Sequence, residues 1–132
     1  MLQPYLDRVD SAGETALLHF AGQYSHAIRK GPLLRVGSGL VEGLFAPEDI
    51  SPREPDAAER AVAAAAVSAL PFPVPLYIRV DLIRGPDGAP VVLEVEMTEP
   101  SVFLVHSAGA AGRFAQAILA AGEVPRGPVA AP

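Results

Sequence analysis

Cysteine is absent from this sequence of 132 residues. The chain therefore has no disulfide framework and no thiolate metal site. This composition fits a reducing compartment, and we expect a cytoplasmic protein. Long apolar runs are also missing: none approaches the roughly 18 residues that suggest a membrane-spanning helix, and the N-terminus lacks the basic-then-apolar pattern of a signal peptide. The sequence therefore predicts no membrane partner.

Positive charge is scarce. Lys and Arg total 10 against 15 Asp and Glu, which gives a net charge of -5 at pH 7. Phosphate backbones are bound by clustered Lys and Arg, so this balance argues against a nucleic acid partner. A nucleotide would need local cations or a metal ion. Internal repeats and heptads are absent too, which excludes solenoids and coiled coils.

The remaining composition predicts one globular domain. Apolar residues make up 50% of the chain and charged residues 19%, a balance that can bury a core. A length of 132 residues allows a single domain, 1–132, but is short for a complete two-substrate enzyme. Within it we expect a mobile loop over residues 33–55, where Gly and Pro are dense, and a frayed tail over 123–132.

The most informative stretch is 76–98, in which two alternating segments flank a turn at 85–88. Such alternation predicts a β-hairpin with two different faces. The apolar face contains Leu76, Ile78, Val80, Leu82, Val91, Leu93, Val95 and Met97. The acidic face contains Tyr77, Arg79, Asp81, Val92, Glu94, Glu96 and Thr98. A turn centred between Asp87 and Gly88 puts Asp81 opposite Glu94, with Glu96 one same-face step of about 6.8 Å away.

Three carboxylates thus converge beside Arg79 on one predicted face. Oxygen ligands suit Mg²⁺, so one interpretation is a site for divalent cations formed by Asp81, Glu94 and Glu96. The other interpretation is a solvated, charged hairpin, and the residue types alone leave both open. If the metal site exists, Mg²⁺ should stabilise the fold, and Asp81→Asn should relieve repulsion in the metal-free protein.

A second hairpin is predicted from strands at 14–20 and 24–30. It contains His26, for which a structural hydrogen bond is favoured over a catalytic role. It ends at Lys30, followed by Gly31 and Pro32. An ammonium group at a strand terminus suits a phosphate contact, and a solvated lysine is the alternative.

Two helices complete the predicted fold. Residues 56–70 begin with a capping box formed by Asp56 and Glu59 and continue with an alanine-rich interior. Residues 113–121 have a second helical pattern with Gly122 as the terminating residue. We therefore expect an α+β fold in which both helices pack on the apolar face of one antiparallel sheet.

Five short segments occur in a particular order along the chain. They are QPYL at 3–6, GE at 13–14 leading into Gly22, SHAIRK at 25–30, YIRVD at 77–81, and LEVE at 93–96 with EPS at 99–101. This pattern resembles the C-terminal part of the ATP-grasp superfamily, in particular bacterial proteins related to glutathione synthetase and the ribosomal-protein-modifying ligases. The resemblance covers nearly the whole chain.

The resemblance implies roles for the hairpin residues. Asp81, Glu94 and Glu96 correspond to the residues that hold Mg²⁺, or Mn²⁺, against the phosphates of ATP. Arg79 corresponds to the arginine that meets the transferred phosphoryl group or the acyl phosphate.

The resemblance also implies nucleotide contacts elsewhere. Residues 3–6 match the segment whose backbone meets adenine, which assigns Gln3, Tyr5 and Leu6 to the cofactor site. Lys30 and Arg35 correspond to basic residues near the phosphates.

The activity implied is that of a ligase in which ATP activates a carboxylate as an acyl phosphate, which an amine or thiol then attacks. In that family a first nucleotide-binding lobe precedes the matched part, and this chain does not contain it. We therefore expect an ATP- and Mg²⁺-binding lobe that is incomplete as an enzyme and associates with a partner lobe or with its own copies. The alternatives are a non-catalytic truncated or accessory binding module and a purely structural domain.

Overall fold

The computed structural model describes residues 5–32 and 49–122, and within them the elements alternate between strands and helices. The strands are β1 (Glu14–Phe20), β2 (Gln23–Lys30), β3 (Ile50–Arg53), β4 (Tyr77–Arg84) and β5 (Pro90–Glu96). The α-helices are α1 (Val9–Ala12), α2 (Ala57–Ser68) and α3 (Ala110–Gly122), and Leu104–His106 forms a 3-10 turn. Gln3, Arg35, most of the predicted loop at 33–55 and the predicted tail at 123–132 lie outside the described residues.

The strands form one sheet in the order β3-β2-β1-β4-β5, and every neighbouring pair is antiparallel. The α+β class and the antiparallel sheet are therefore confirmed. Both predicted hairpins are present as β1–β2 and β4–β5. The turn between β4 and β5 includes Gly88 at φ +84°, a left-handed conformation that glycine adopts without strain. No α-helix among the described residues is long and apolar enough to cross a membrane.

Strand β3 lies in a segment predicted as loop. Ile50–Arg53 pairs with the end of β2, and Pro52 stands opposite Ile28. Proline is tolerated here because β3 is an edge strand, where one side of the backbone needs no partner in the sheet. The prediction of a loop over 33–55 is therefore wrong for these four residues, because pairing with β2 outweighed their low intrinsic strand preference.

Helix α2 covers one face of the sheet. Its capping box is present as predicted: the Asp56 side chain accepts from the Glu59 backbone N–H, and the Glu59 side chain accepts from the Asp56 backbone N–H. The helix contributes two buried apolar side chains to a core that also contains five from the strands. This core contains Leu17, Ala27, Ala63, Val67, Ile78, Val80 and Leu82.

Helix α3 contacts the other face, contrary to the prediction that both helices share one. The Phe114 ring packs against Phe20, with 4.7 Å between ring centroids, and against Tyr77 at 6.1 Å. Tyr77 alternates with Ile78 on β4, and Ile78 belongs to the core under α2. The sheet therefore carries a helix on each face. Tyr77 lies on the face predicted to be acidic, and together with Phe20 of β1 it forms an apolar surface there for α3.

A β-bulge changes the predicted faces of β5. Asp81 pairs with Glu94, but Leu82 pairs with Val92, so Leu93 has no partner in the register. Val92 therefore shares a face with Leu82, and Val91 pairs with Ile83 instead of lying on the core face. The extra residue shifts the alternation by one, because side chains alternate strictly only along an unbulged strand.

Candidate functional site

The predicted site residues of the β4–β5 hairpin share one face. Arg79 pairs with Glu96 and Asp81 with Glu94, which confirms the predicted opposition of Asp81 and Glu94. The β-bulge lies between Asp81 and Leu82, on the turn side of the Asp81–Glu94 pair, so it does not change the face of Arg79, Asp81, Glu94 or Glu96. They lie on the face opposite α2.

Asp81 is the centre of an ion-pair cluster on this face. Its side chain is fully buried. Oδ2 accepts a hydrogen bond from Lys30 Nζ at 2.7 Å, and Arg79 Nε donates to Oδ1 at 2.9 Å and to Oδ2 at 3.1 Å. Lys30 is the only lysine of the sequence. The fold brings it to Asp81 from β2, across the intervening strand β1.

The remaining carboxylates differ in their contacts. Glu14, the first residue of β1, lies 3.0 Å from Lys30 Nζ through Oε2. Glu96 forms an ion pair with the Arg79 guanidinium. Glu94 is exposed and makes no ion pair with another described residue. Two cations thus face four carboxylates.

The cations of the cluster are held in their charged forms. Burial acts to lower the pKa of Lys30, but the hydrogen bonds and charges of Asp81 and Glu14 outweigh it, so that the pKa is raised. The pKa of Arg79 is also raised, because its contacts with Asp81 and the charges of Glu96 and Glu94 outweigh burial. Both side chains therefore stay protonated at neutral pH.

These contacts correct the expectation that Asp81 suffers uncompensated repulsion without a metal. Its charge is balanced by Lys30 and Arg79. Within residues 5–32 and 49–122, no group of three or more His, Asp or Glu side chains is gathered closely enough to hold a metal ion. The donor set still fits Mg²⁺ in its chemistry, because Asp81, Glu94 and Glu96 offer only carboxylate oxygens on one face. Two of them are already paired with cations.

Tyr5 and Leu6, the other predicted cofactor residues within the described part of the chain, have contacts apart from this cluster. Tyr5 is exposed, and its hydroxyl donates to Asp10 at 2.6 Å. The Leu6 carbonyl accepts from the Val9 backbone N–H as α1 begins. Arg8 donates to the Pro86 carbonyl, so this segment approaches the β4–β5 turn. Gln3 and Arg35 are outside the described residues.

His26 has a structural environment. Its Nε2 lies 3.0 Å from the Val102 carbonyl and its Nδ1 lies 2.9 Å from Ser25 Oγ. Arg113 Nε in turn donates to Ser25 Oγ. Burial lowers the pKa of His26, which favours a neutral ring that donates to the carbonyl and accepts from the serine. Both ring nitrogens are therefore used by the fold.

Two clefts lie away from the cluster. A cleft of about 320 Å³ is lined by residues that include His19, Tyr24 and Arg60, on the α2 side of the sheet. A second cleft of about 370 Å³ is lined by residues that include Arg53 and His106. Neither is lined by Asp81 or its partners, so these clefts do not mark the carboxylate cluster.

Glu14 is the residue of the cluster that sequence reasoning missed. The sequence places it at the start of a strand and in the GE segment at 13–14, but neither feature predicts a contact with Lys30. Its position could have been found by counting along the β1–β2 hairpin, because antiparallel pairing puts the first residue of β1 opposite the last residue of β2, and Glu14 pairs with Lys30.

Comparisons with known proteins find relatives of this chain. No family model matches the chain. The cycloserine biosynthesis protein DcsG of Streptomyces lavendulae is 48% identical over 124 residues, which cover 89% of this chain and 40% of that protein. A crystal structure of D-cycloserine synthetase DcsG matches with a TM-score of 0.76 and 46% identity, over 90% of this chain and 41% of the other. The chain is related to the C-terminal part of the ATP-grasp ligases.

A more distant structure shares the fold of this chain. The D-alanine–D-alanine ligase of Bacillus anthracis, solved in complex with ATP, is 22% identical with a TM-score of 0.54, over 83% of this chain and 39% of that one. The chain therefore spans about two fifths of the length of each of these relatives.

Proposed function

We propose that this chain is the lobe of an ATP-grasp carboxylate–amine or carboxylate–thiol ligase that holds a divalent cation, Mg²⁺ or Mn²⁺, and the phosphates of ATP. The supporting observation is the cluster around Asp81. It combines two cations that suit phosphate oxygens with carboxylates that suit a hard metal ion, all on one sheet face.

Each side chain has a proposed part. Asp81, Glu94 and Glu96 hold the metal ion, which supplies charge neutralisation for the phosphates when bound. Arg79 contacts the transferred phosphoryl group, and Lys30 contacts the neighbouring phosphates. Arg35 adds positive charge near the phosphates.

Adenine recognition is assigned to the N-terminal segment. The backbone of Gln3, Tyr5 and Leu6 meets the base, as the family resemblance implies. The approach of Arg8 to Pro86 brings this segment to the end of β4, the strand that carries Arg79 and Asp81.

The proposed reaction has two steps. A substrate carboxylate attacks the γ-phosphorus of ATP to give an acyl phosphate and ADP. An amine or thiol then attacks the acyl carbon and releases inorganic phosphate. Arg79 stabilises the charge that develops on the transferred phosphoryl oxygens in the first step.

The isolated chain should bind nucleotide without completing this reaction. It spans about 40% of the DcsG protein, and positioning of both substrates supplies much of the rate in phosphoryl transfer. We expect isothermal titration to detect binding of a non-hydrolysable ATP analogue with Mg²⁺, and we expect no ADP release above an Arg79→Ala control in a mixture of amino acids. Absence of analogue binding would contradict the proposed function.

An accessory binding module is the second candidate. It is favoured because no three His, Asp or Glu side chains within residues 5–32 and 49–122 are gathered closely enough to hold a metal ion. The part of DcsG that this chain does not match, supplied as a separate chain, distinguishes the two. ATP-dependent amide formation that requires both chains and is lost in Arg79→Ala supports the ligase lobe. Nucleotide binding with no turnover in the mixture supports the accessory module.

A further inference from the structure

Asp81 is engaged by two cations of its own sheet. Lys30 Nζ lies 2.7 Å from Oδ2 and Arg79 Nε lies 2.9 Å from Oδ1. The carboxylate is fully buried, so solvent screens these contacts only weakly. A divalent cation that takes Asp81 as a ligand is therefore repelled by both of these positive charges, and it binds better when one of them moves away.

Lys30 is the cation that can leave more easily. Its side chain is 19% exposed, and its ammonium has a second partner in Glu14 Oε2 at 3.0 Å. Arg79 is more buried and is tied to Glu96 as well as to Asp81. Movement of Lys30 away from Asp81 leaves its charge paired, whereas movement of Arg79 breaks contacts with two carboxylates.

We propose that Lys30 is an internal counter-ion that withholds Asp81 from a divalent cation until a phosphate-bearing ligand draws the ammonium away. This inference rests on the proposed function and adds a coupling to it. Phosphate oxygens replace Asp81 as the partner of Lys30, and the metal ion replaces Lys30 as the partner of Asp81. The metal ion gives Asp81 the positive partner that it loses when Lys30 moves, and the phosphate gives Lys30 the negative partner that it loses in Asp81. The metal ion and the phosphate-bearing ligand therefore bind with positive coupling.

The single lysine makes this exchange observable in the unmodified protein. Labelling with lysine enriched in ¹³C at Cε gives one side-chain methylene signal, from Lys30. We expect this signal to stay in place when MgCl₂ is added alone and to move when MgCl₂ and a non-hydrolysable ATP analogue are added together. A signal that moves with MgCl₂ alone would contradict the proposal.

Removal of the counter-ion should strengthen the binding of Mg²⁺ alone. In Lys30→Met, we expect Mg²⁺ alone to bind about tenfold more tightly or better than to the natural chain, because one positive charge next to Asp81 is gone. Isothermal titration with MgCl₂ measures this difference. Lys30→Arg keeps the cation and should behave like the natural chain.

Arg29→Met is the matched control. Arg29 precedes Lys30 on β2, and strand alternation puts its side chain on the opposite face, where it pairs with Asp49. This variant changes the net charge by the same amount as Lys30→Met and should leave the affinity for Mg²⁺ unchanged. An equal increase in Mg²⁺ affinity in both variants would show that net charge alone explains the effect, and it would overturn the proposal.

The outcomes separate this inference from the proposed function. If the natural chain binds the analogue with Mg²⁺, and Mg²⁺ alone binds Lys30→Met no better than the natural chain, the counter-ion role is wrong and the nucleotide site stands. If the analogue and Mg²⁺ together do not bind to the natural chain while Lys30→Met gains Mg²⁺ binding, the counter-ion role stands and the nucleotide function is wrong. Should Lys30→Met fail to fold, the ¹³C signal decides.

Discussion

Asp81 is the residue on which the charged face of the sheet depends. It is fully buried, and both Lys30 and Arg79 donate to its carboxylate. Replacement by Asn keeps the shape but leaves two partly buried cations without their shared partner. Loss of one member of a buried ionic group typically costs more than the group as a whole contributes, because the remaining charge stays desolvated.

We therefore expect Asp81→Asn to lower the free energy of unfolding by about 3 kcal/mol. The exposed Glu94 provides the comparison. Glu94→Gln should change the free energy of unfolding by less than about 0.5 kcal/mol, since Glu94 makes no ion pair with another described residue. Urea denaturation of both variants checks this. If the Asp81→Asn variant is as stable as the natural chain, the result would support the repulsion predicted from the sequence.

His19 gives the fold a dependence on pH. It is 4% exposed, and its Nδ1 has no hydrogen-bond partner in the described part of the chain. Burial lowers its pKa below the ordinary 6.5, although a backbone hydrogen bond to Leu17 acts in the opposite direction. As the pH falls through 6.5, the unfolded chain takes up a proton here that the folded chain does not, so the free energy of unfolding decreases.

We expect the melting temperature to fall between pH 7 and pH 5.5, and to fall less in His19→Leu. Free Asp and Glu side chains titrate well below this range and free His titrates within it, so the measurement reports chiefly on the histidines. His26 also has a lowered pKa, so part of the dependence should remain. Calorimetry at several pH values measures the slope, and identical slopes for the two proteins would contradict the role assigned to His19.

At the scale of elements, the carboxylate of Glu59 links α2 to three strands of the sheet, in addition to the apolar packing of the helix. Glu59 is 2% exposed and accepts from Thr15 Oγ1 at 2.8 Å, while Arg53 and Arg84 lie 3.2 and 2.9 Å from its Oε1. Its other oxygen accepts from the Asp56 backbone N–H. The residue that caps the helix thus also holds β1, β3 and β4 against it.

Glu59→Gln should destabilise the fold by about 3 kcal/mol, because two arginines lose a buried counter-ion. Glu54→Gln is the matched variant: Glu54 also forms an ion pair, with Arg60, but its side chain is 81% exposed. Exposed pairs contribute little, so we expect a change below about 1 kcal/mol. Chemical denaturation measures both, and equal losses would show that Glu59 acts only as a cap.

On the scale of the whole molecule, apolar side chains remain exposed along one sheet edge. Strand β5 is at the edge of the sheet, and Val91, Val92 and Leu93 are between 38% and 43% exposed. Ile118 and Leu119 on α3 are also exposed. Edge strands of this kind pair with further strands unless charge or cover prevents it. The bulge at Leu93 interrupts only one position of the edge.

We expect the isolated chain to self-associate through β5. Val92→Lys should shift the chain toward monomer in sedimentation velocity, because a lysine on the edge opposes pairing. Val105→Lys serves as the control, since Val105 is 92% exposed but lies in the 3-10 turn. A monomeric natural chain at high concentration, or equal effects of the two lysines, would contradict association through the edge.

Local signals in the sequence were enough for several features. The capping box of α2 needs only residues three apart, and the two hairpins need only alternation and short turns. The same alternation put Arg79, Asp81, Glu94 and Glu96 on one face, since the period of a strand is two. The family resemblance then supplied the roles proposed for these residues.

Other features depend on contacts that no local pattern contains. The face chosen by α3, the strand at Ile50–Arg53 and the bulge at Leu93 each follow from packing or pairing with distant residues. Lys30 and Asp81 are 51 residues apart and meet because β1 lies between β2 and β4 in the sheet. The sequence by itself determined which carboxylates could share a face, because alternation is local. Only the tertiary structure decided that Asp81 already has two cationic partners, because strand order is set by long-range packing.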